Sequence, residues 1–225
     1  MTDKQALRVE RIETYGLPQY KLGEEIFNSV THGFGAAASA VGLVFLILKA
    51  RGAVATASAV IFAGVSIALY TVSCVYHGMG VGPAKKYLRV ADHCTIFLMI
   101  GGCCTPFVFL ALQGTARIVV LVGVWATGIL GITLNMIDLK RFSKLSMACY
   151  IVMGWFVVGA LPMLLRSMEK RALLLMLAGG LAYTVGAVIY GVGKKLNVPY
   201  VHTVYHFLVL AGTGLHYAMV YIYII

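Results

Sequence analysis

Seven long apolar segments, separated by short charged connections, run through almost the whole chain. In order, they are approximately Glu25–Leu48, Val54–His77, Tyr87–Leu112, Thr115–Ile137, Leu145–Leu165, Ala172–Val192 and Tyr200–Ile225. About 20 apolar residues are needed to cross the hydrocarbon core of a bilayer as a helix. Because a helix satisfies its own backbone hydrogen bonds and an open strand in lipid does not, the pattern predicts an all-α membrane protein with seven transmembrane helices.

The composition does not fit a soluble domain of this size. Hydrophobic residues make up 60% of the 225 positions and charged residues 12%, whereas a soluble domain is about half apolar and about a quarter charged. Basic residues of membrane proteins gather in cytoplasmic loops and beside anionic headgroups, which accounts for the net charge of +10. We therefore expect a multi-pass protein of the cell membrane (the inner membrane, if bacterial) with membrane lipids as partners and no nucleic acid.

The distribution of the basic residues predicts the orientation of the bundle. Twelve of the 18 Lys and Arg residues lie in the N-terminal segment or in the second, fourth and sixth connections. By the positive-inside rule, the N-terminus is cytoplasmic and the C-terminus lies outside. Residues 1–23 lack the apolar core of a signal peptide and predict a cytoplasmic tail or an interfacial helix, followed by one transmembrane domain over residues 24–225.

Ionisable side chains inside apolar spans are costly, so each of them indicates a functional site. Seven groups in the predicted spans are candidates, and six of them lie at the cytoplasmic ends of their helices, where a serine accompanies them. The six are His32, His77, Asp92, His93, His202 and His206, with Ser73 beside them. The seventh, His216, lies about 15 Å further along the last helix and is interpreted as a buried, neutral, hydrogen-bonded histidine.

The spacing of the histidines favours a metal site. His202 and His206 are four residues apart and so lie on one face of a helix, and His77 of the second span supplies a third imidazole. Three imidazoles with an open fourth position are typical of catalytic Zn²⁺, which lowers the pKa of a bound water to about 7. Asp92 then accepts a proton as general base, while Ser73 hydrogen-bonds a developing oxyanion or steadies the site.

Each residue taken alone has a simpler explanation. Histidines near helix ends often contact headgroups or water, and Ser73 could bond to a carbonyl of its own helix. Asp92 could cap the third helix, or pair with Lys85 or Arg89. Three imidazoles also accept metals other than zinc. His32 is interpreted as a group around the metal or on the substrate side.

The remaining histidine of the third span is assigned outside the site. Helical spacing turns His93 about 100° away from Asp92, so both side chains are not expected to face one metal ion. His93 is interpreted as a packing residue or a lipid-interface contact.

Four motifs resemble those of the hemolysin III family, and they occur in the order found in that family. They are Glu25-x-x-Asn28-Ser29-x-Thr31-His32-Gly33, Ser73-x-x-Tyr76-His77, Asp92-His93 and His202-x-x-x-His206. The family is grouped with the progestin and adiponectin receptors and, more distantly, with the alkaline ceramidases. The resemblance covers nearly all of the chain from Glu24 onward.

The resemblance implies a seven-helix fold with a cytoplasmic N-terminus and a zinc ion near the cytoplasmic face. Carried over by motif, His77, His202 and His206 match the zinc ligands. Asp92 matches the carboxylate that contacts the zinc-bound water, and Ser73 matches the motif serine. His32 and Tyr76 are expected to surround these groups.

The function predicted from these features is zinc-dependent hydrolysis of a lipid amide or ester, with the acyl chain of the lipid entering the bundle from the bilayer. The alternative is a non-enzymatic membrane sensor or regulator in which zinc is structural and pins the seventh helix to the second. A pore-forming cytolysin, which the family name suggests, ranks third. The spans offer almost no polar side chains outside the cytoplasmic cluster, and a pore needs a continuous polar lining.

Reporter fusions in a bacterial host test the predicted orientation. Alkaline phosphatase fused after Ile225 is expected to be active, and green fluorescent protein fused there to be dark, because only the phosphatase folds outside the cytoplasm. Both fusions placed after Lys195, in a predicted cytoplasmic connection, should give the opposite result. The reverse pattern at the two positions would show that the bundle is inserted the other way.

Overall fold

The computed structural model describes residues 3–225, and this part of the chain contains helices and connections but no strand. Met1 and Thr2 of the predicted N-terminal segment lie outside the described residues. The helices are α1 Asp3–Thr14, α2 Leu22–Lys49, α3 Ala53–Gly78, α4 Pro83–Ala111, α5 Gly114–Asp138, α6 Ser143–Trp155, α7 Leu161–Ser167, α8 Lys170–Lys195 and α9 Val201–Met219. A 3₁₀ helix, Phe156–Ala160, joins α6 to α7, and a π-helix, Val220–Ile224, continues α9.

Within residues 3–225, seven helical segments are long and apolar enough to cross a membrane, which confirms the predicted number of spans. They are α2, α3, α4, α5, the combined segment Ser143–Ser167, α8 and Val201–Ile224. The direction in which the bundle crosses the membrane, and with it the cytoplasmic location of residues 1–23, stays a prediction.

Very short connections make consecutive helices antiparallel neighbours. Gly52, with φ of +85°, precedes α3, and Gly114, with φ of +55°, begins α5. Glycine favours these left-handed conformations because it has no Cβ atom to clash with the backbone. Helix α3 packs against both α2 and α4, and α9 packs against both α8 and α2. The first turns of α2, the end of α3 and the start of α9 therefore meet.

The fifth span is not one continuous α-helix. The α-helical hydrogen-bond pattern changes to 3₁₀ over Phe156–Ala160, and Pro162 then lies in the first turn of α7. Proline is tolerated in a first helical turn because its missing N–H has no partner there in any case. The irregularity at this proline is thus a change of helix type. At Pro106, which lies inside the third span, α4 continues as helix to Ala111.

The segment before α2 folds back onto the bundle. Ile12 and Leu17 are buried, the Arg8 guanidinium donates to the backbone oxygen of Tyr20 (3.1 Å), and Arg89 of α4 donates to that of Gly16 (2.7 Å). These contacts bring Tyr20 to the end of the bundle where α2, α3 and α9 meet. The N-terminal segment therefore packs over the end of the bundle where α2, α3 and α9 meet.

Small residues allow the helices to approach closely, as is usual in membranes. A Cβ atom added at Gly131 of α5 would lie 2.0 Å from the Cζ atom of Phe97, which is fully buried on α4. By contrast, a Cβ atom added at Gly64 of α3 meets nothing within 4 Å. The α4–α5 contact thus depends on the missing side chain at position 131.

Alanine substitutions at these two glycines test this packing. We expect Gly131→Ala to lower the free energy of unfolding by about 1–3 kcal/mol, because the added Cβ atom would overlap the fully buried ring of Phe97 and force it to shift. Gly64→Ala should be neutral or stabilising by up to about 1 kcal/mol, since alanine has the higher helix propensity. Thermal unfolding midpoints in one detergent measure the difference, and equal midpoints for the two variants would contradict the prediction.

Candidate metal site

Three imidazole rings meet where α3 ends and α9 begins. The Nε2 atom of His202 lies 3.2 Å from Nε2 of His77 and 3.1 Å from Nε2 of His206. All three side chains are buried, and one nitrogen from each falls within a group whose members are at most 4.8 Å apart. The structure therefore brings together the three histidines that the spacing selected, in an arrangement that could hold a metal ion.

Two of the three nitrogen–nitrogen distances suit a transition metal bound by imidazole ligands. Zinc–nitrogen bonds of about 2.0–2.1 Å at tetrahedral angles place the ligand nitrogens about 3.3 Å apart. The other ring nitrogens of two of the histidines agree with this geometry, because Nδ1 of His77 and Nδ1 of His206 both have acceptors, whereas Nδ1 of His202 has no hydrogen-bond partner among the described residues. With the Nδ1 protons used there, both Nε2 atoms present lone pairs. A proton on His202 Nε2 could satisfy only one of them, whereas a metal ion accepts a lone pair from each ring.

The orientation of His77 is set by a buried carboxylate. Oε2 of Glu25 on α2 accepts a hydrogen bond from Nδ1 of His77 at 2.6 Å. Oε1 of the same carboxylate lies 2.8 Å from the ammonium of Lys85, which is itself buried and also donates to the backbone oxygen of Met79 (2.9 Å). A carboxylate behind a metal-ligating histidine fixes the tautomer and makes the other nitrogen a stronger ligand.

The ring of His206 is held by α2. Its Nδ1 atom lies 3.2 Å from the backbone oxygen of Asn28 and 3.3 Å from the hydroxyl of Thr31. The ring of His32 stacks on it, with centroids 3.5 Å apart and planes inclined by 6°. His32 therefore lies beside the three converging rings, and neither of its ring nitrogens has a hydrogen-bond partner among the described residues.

Tyrosine rings surround the cluster. Tyr76, expected close to the site, is buried against His77 at 4.5 Å between centroids. Tyr20 covers both His77 (5.7 Å) and His202 (5.3 Å), and Tyr190 of α8 packs edge-on against His202 at 4.9 Å. Burial and the neighbouring phenol of Tyr190 raise the pKa of Tyr20 well above its usual range, so its hydroxyl stays protonated at neutral pH.

Asp92 and Ser73 both line a large cavity that starts at the histidine cluster. The cavity has a volume of about 830 Å³, and His202 and His206 also form part of its wall. Both Asp92 and Ser73 are buried, and the hydroxyl of Ser73 has no hydrogen-bond partner among the described residues. The catalytic roles of these two residues stay predictions, but both face the same space as two of the candidate ligands.

Two simpler explanations for Asp92 are wrong. Because α4 begins at Pro83, Asp92 lies in the third turn of the helix and does not cap it. Lys85 pairs with Glu25, and Arg89 donates to a backbone oxygen of the N-terminal segment. The simpler explanation for Ser73 is not observed either, because its hydroxyl does not bond to a carbonyl of α3.

The other two histidines also lie along the cavity. His93 is hydrogen-bonded through Nδ1 to the backbone oxygen of Arg89 (2.9 Å), approaches Oδ2 of Asp92 at 3.7 Å, and is part of the cavity wall. His216, further along α9, is buried and donates from Nε2 to the backbone oxygen of Met176 (3.1 Å), as the sequence suggested. Neither belongs to the group of three converging imidazoles.

Sequence reasoning missed Glu25, Lys85 and Tyr20 as parts of the site. Glu25 was noted as the first residue of a motif, although an ionisable group inside an apolar span is itself a signal of function. Lys85 looks like an ordinary loop lysine, and its burial depends on the tertiary structure. Tyr20 precedes the first span, and no local pattern indicates that it folds back over the histidines.

Comparison with known proteins identifies relatives that cover nearly the whole chain. Residues 20–217 match the family described as Haemolysin-III related. The chain is 36% identical over 206 residues to Hemolysin-3 of Bacillus cereus, covering 90% of this chain and 92% of that protein. It is 35% identical over 207 residues to a Hemolysin-3 homolog of Bacillus subtilis (strain 168), covering 91% and 96%.

The hydrogen bond from His77 to Glu25 predicts that this carboxylate controls metal affinity. We expect Glu25→Gln to weaken zinc binding by about 10-fold to 100-fold, because the amide orients His77 less firmly and leaves it less basic. Zinc titration of detergent-purified protein, with elemental analysis of the bound metal, measures the change. Wild type should hold about one zinc per chain, and His202→Ala/His206→Ala should hold none.

Two further variants separate metal binding from folding. Glu13→Gln makes the same change on the exposed face of α1 and should bind zinc like wild type. The double variant Glu25→Gln/Lys85→Met removes both buried charges, so it should recover stability while keeping the zinc defect. Normal zinc affinity in the double variant would show that Glu25 serves only to neutralise Lys85.

Proposed function

The chain belongs to the haemolysin III family, a family of multi-pass membrane proteins, and we propose that it is a zinc-dependent hydrolase of a lipid amide or ester. The single observation that carries the proposal is that the three-histidine cluster and an elongated, largely apolar cavity share residues. A metal site alone fits many functions. A metal site at the end of a cavity shaped for an apolar chain fits lipid chemistry.

The cavity wall combines the groups that hydrolysis requires. His202, His206, Asp92 and Ser73 lie at one end of it. Beyond them the wall is formed mainly by aliphatic, methionine and aromatic side chains of α4, α6, α7 and α8, among them Met99, Phe107, Met147, Leu164, Leu173 and Leu177. Such a wall excludes water from the acyl chain and directs the carbonyl group toward the histidines.

Zinc bound by three imidazoles supplies Lewis acidity and makes hydroxide available from water at about neutral pH. In the proposed reaction Asp92 accepts the proton of the attacking water and returns it to the leaving amine or alcohol. Ser73 donates a hydrogen bond to the carbonyl oxygen as negative charge develops on it. A buried hydroxyl without another partner is well suited to this, because it has no competing hydrogen bond to break.

Tyr20 completes the site in this proposal. Its ring lies over His77 and His202 and separates them from the surface on the side of the N-terminal segment. Its phenol hydroxyl can donate a hydrogen bond into the site. Exclusion of bulk water strengthens the electrostatic interactions in the site.

A structural role for the metal is the second candidate. The histidines join α3 to α9, and Glu25 joins α2 to both α3 and α4 through His77 and Lys85. A metal ion at this point would hold the bundle together without catalysis. This alternative predicts that loss of the metal lowers stability and that Asp92 and Ser73 are dispensable.

The name of the two relatives refers to lysis of cells. A cytolytic pore as the function of this chain receives less support. Conduction needs a polar passage through the bundle. Instead, the spanning part of the cavity is lined mainly by apolar side chains.

The proposal predicts that Asp92 is needed for turnover and not for metal binding. We expect Asp92→Asn to slow release of free oleate from long-chain amides and esters by at least about 100-fold, which is the usual contribution of a general base. Release is measured by mass spectrometry with purified protein at equal zinc content. Asp138→Asn, the same change in an exposed position, should leave the rate unchanged.

The outcome also separates the two candidate functions. Loss of turnover in both Asp92→Asn and Ser73→Ala, with normal zinc content and unfolding midpoint, supports the hydrolase. If no lipid is cleaved by wild type, or if His202→Ala/His206→Ala cleaves as fast as wild type, the hydrolase proposal is wrong.

A further inference from the structure

The cavity carries an uneven distribution of charge along its length. Arg89, Lys140 and Lys194 line it at the end that holds the histidines, and Lys170 lines the other end. Among the described residues of the wall, Asp92 is the one carboxylate. The end at which chemistry is proposed is therefore cationic, although the rest of the wall is mainly apolar.

The cations lie next to the candidate metal site. Arg89 precedes Asp92 by three residues on α4, which puts both on the same side of the helix. The ammonium of Lys194, at the end of α8, lies over the ring of Tyr190 at 5.5 Å, and that ring packs against His202. Lys140 comes from the connection between α5 and α6. Three separate elements of the fold thus place a cation at one end of the cavity.

These cations have no acidic partner in the described part of the chain. None of the carboxylates whose side chains the structure describes lies within ion-pairing distance of Arg89, Lys140 or Lys194. Arg89 donates to one backbone oxygen, which uses one of its five N–H groups. By contrast, Lys85, in the same region of the bundle, is buried and paired with Glu25. The three lining cations are therefore available to an anion.

The cavity is long enough for an extended acyl chain. Both Lys170 and Lys194 line it, and they are the first residue and the second-last residue of α8. At 1.5 Å per residue, they are about 36 Å apart, similar to the thickness of the hydrocarbon core of a bilayer. A volume of about 830 Å³ falls in the range of about 300–1,000 Å³ that is usual for binding sites of small molecules.

We propose that the substrate is a long-chain lipid with an anionic headgroup, a phosphate or a carboxylate, which Arg89, Lys140 and Lys194 bind. The acyl chain extends along the cavity toward Lys170, and the carbonyl group between chain and headgroup lies beside His202 and Asp92. This inference names the substrate class for the proposed hydrolase and rests on that proposal for the chemistry. The selection of an anionic headgroup is a binding property and is measured without turnover.

Lysines at helix ends also attract the headgroups of the bulk membrane, so the test must distinguish cavity binding from surface charge. Lys144 and Lys195 provide the matched control. Each lies in the same part of the sequence as a lining lysine and is exposed, but neither lines the cavity. Lys140→Gln/Lys194→Gln and Lys144→Gln/Lys195→Gln therefore remove the same charge from the same surface region. Both leave Arg89 and its contact with the N-terminal segment intact.

Two pairs of oleoyl lipids serve as probes, matched in chain and in scissile bond. N-oleoylglycine is compared with N-oleoylethanolamine, and oleoyl lysophosphatidate with mono-oleoylglycerol. Equilibrium binding of the radiolabelled lipids is measured in a nonionic detergent, and mass spectrometry of the recovered lipid shows whether it is intact. We expect wild type to bind the anionic member of at least one pair about tenfold more tightly. The pair that shows the preference distinguishes carboxylate from phosphate.

The two double variants test whether the lysines that line the cavity select the anionic headgroup. Lys140→Gln/Lys194→Gln should reduce the preference to about threefold or less while binding the neutral lipids like wild type, and Lys144→Gln/Lys195→Gln should keep it. Equal binding of anionic and neutral lipids by wild type, or equal losses in the two double variants, would overturn it. A preserved preference without cleavage of any lipid would instead refute the hydrolase and leave the anionic binding site standing.

Discussion

The buried carboxylate of Glu25 is the interaction on which the candidate site depends. It lies in an apolar span, where an unpaired charge is costly, and it is stabilised by the ammonium of Lys85 and the imidazole of His77. Removing one member of such a buried network leaves an uncompensated charge. The network therefore fixes three helices relative to one another at the point where His77 points toward α9.

The first turns of α2 form the frame behind the histidines. Glu24 accepts hydrogen bonds from the backbone N–H groups of Lys21 (2.8 Å) and Tyr200 (2.7 Å), which ties the start of α2 to the start of α9. Asn28 accepts from the Thr203 hydroxyl (2.6 Å), and its backbone oxygen accepts from His206 (3.2 Å). Because α2 supplies none of the three converging imidazoles, its contribution is to position the helices that do. This explains why polar residues cluster at its beginning.

Two different groups of helices form the histidine cluster and the apolar part of the cavity. The helices α2, α3 and α9 build the histidine cluster, while α4, α6, α7 and α8 form most of the apolar wall. Asp92 and Arg89 on α4 and Tyr190 and Lys194 on α8 connect the two parts. In the proposed function, this arrangement separates the positioning of the metal from the selection of the lipid. Substitutions could then change headgroup preference without loss of the metal.

The sequence by itself determined the seven spans and the three histidines that converge, because span length, apolar content and the four-residue spacing of His202 and His206 are local properties of the chain. It also singled out Asp92 and Ser73, which share one cavity with two of those histidines. Only the tertiary structure decided that Lys85 is buried against Glu25, that Tyr20 covers the rings, and that Arg89, Lys140 and Lys194 line one end of the cavity. These features depend on which helices are neighbours. That choice is made by close contacts such as Phe97 against Gly131, between residues far apart in the sequence.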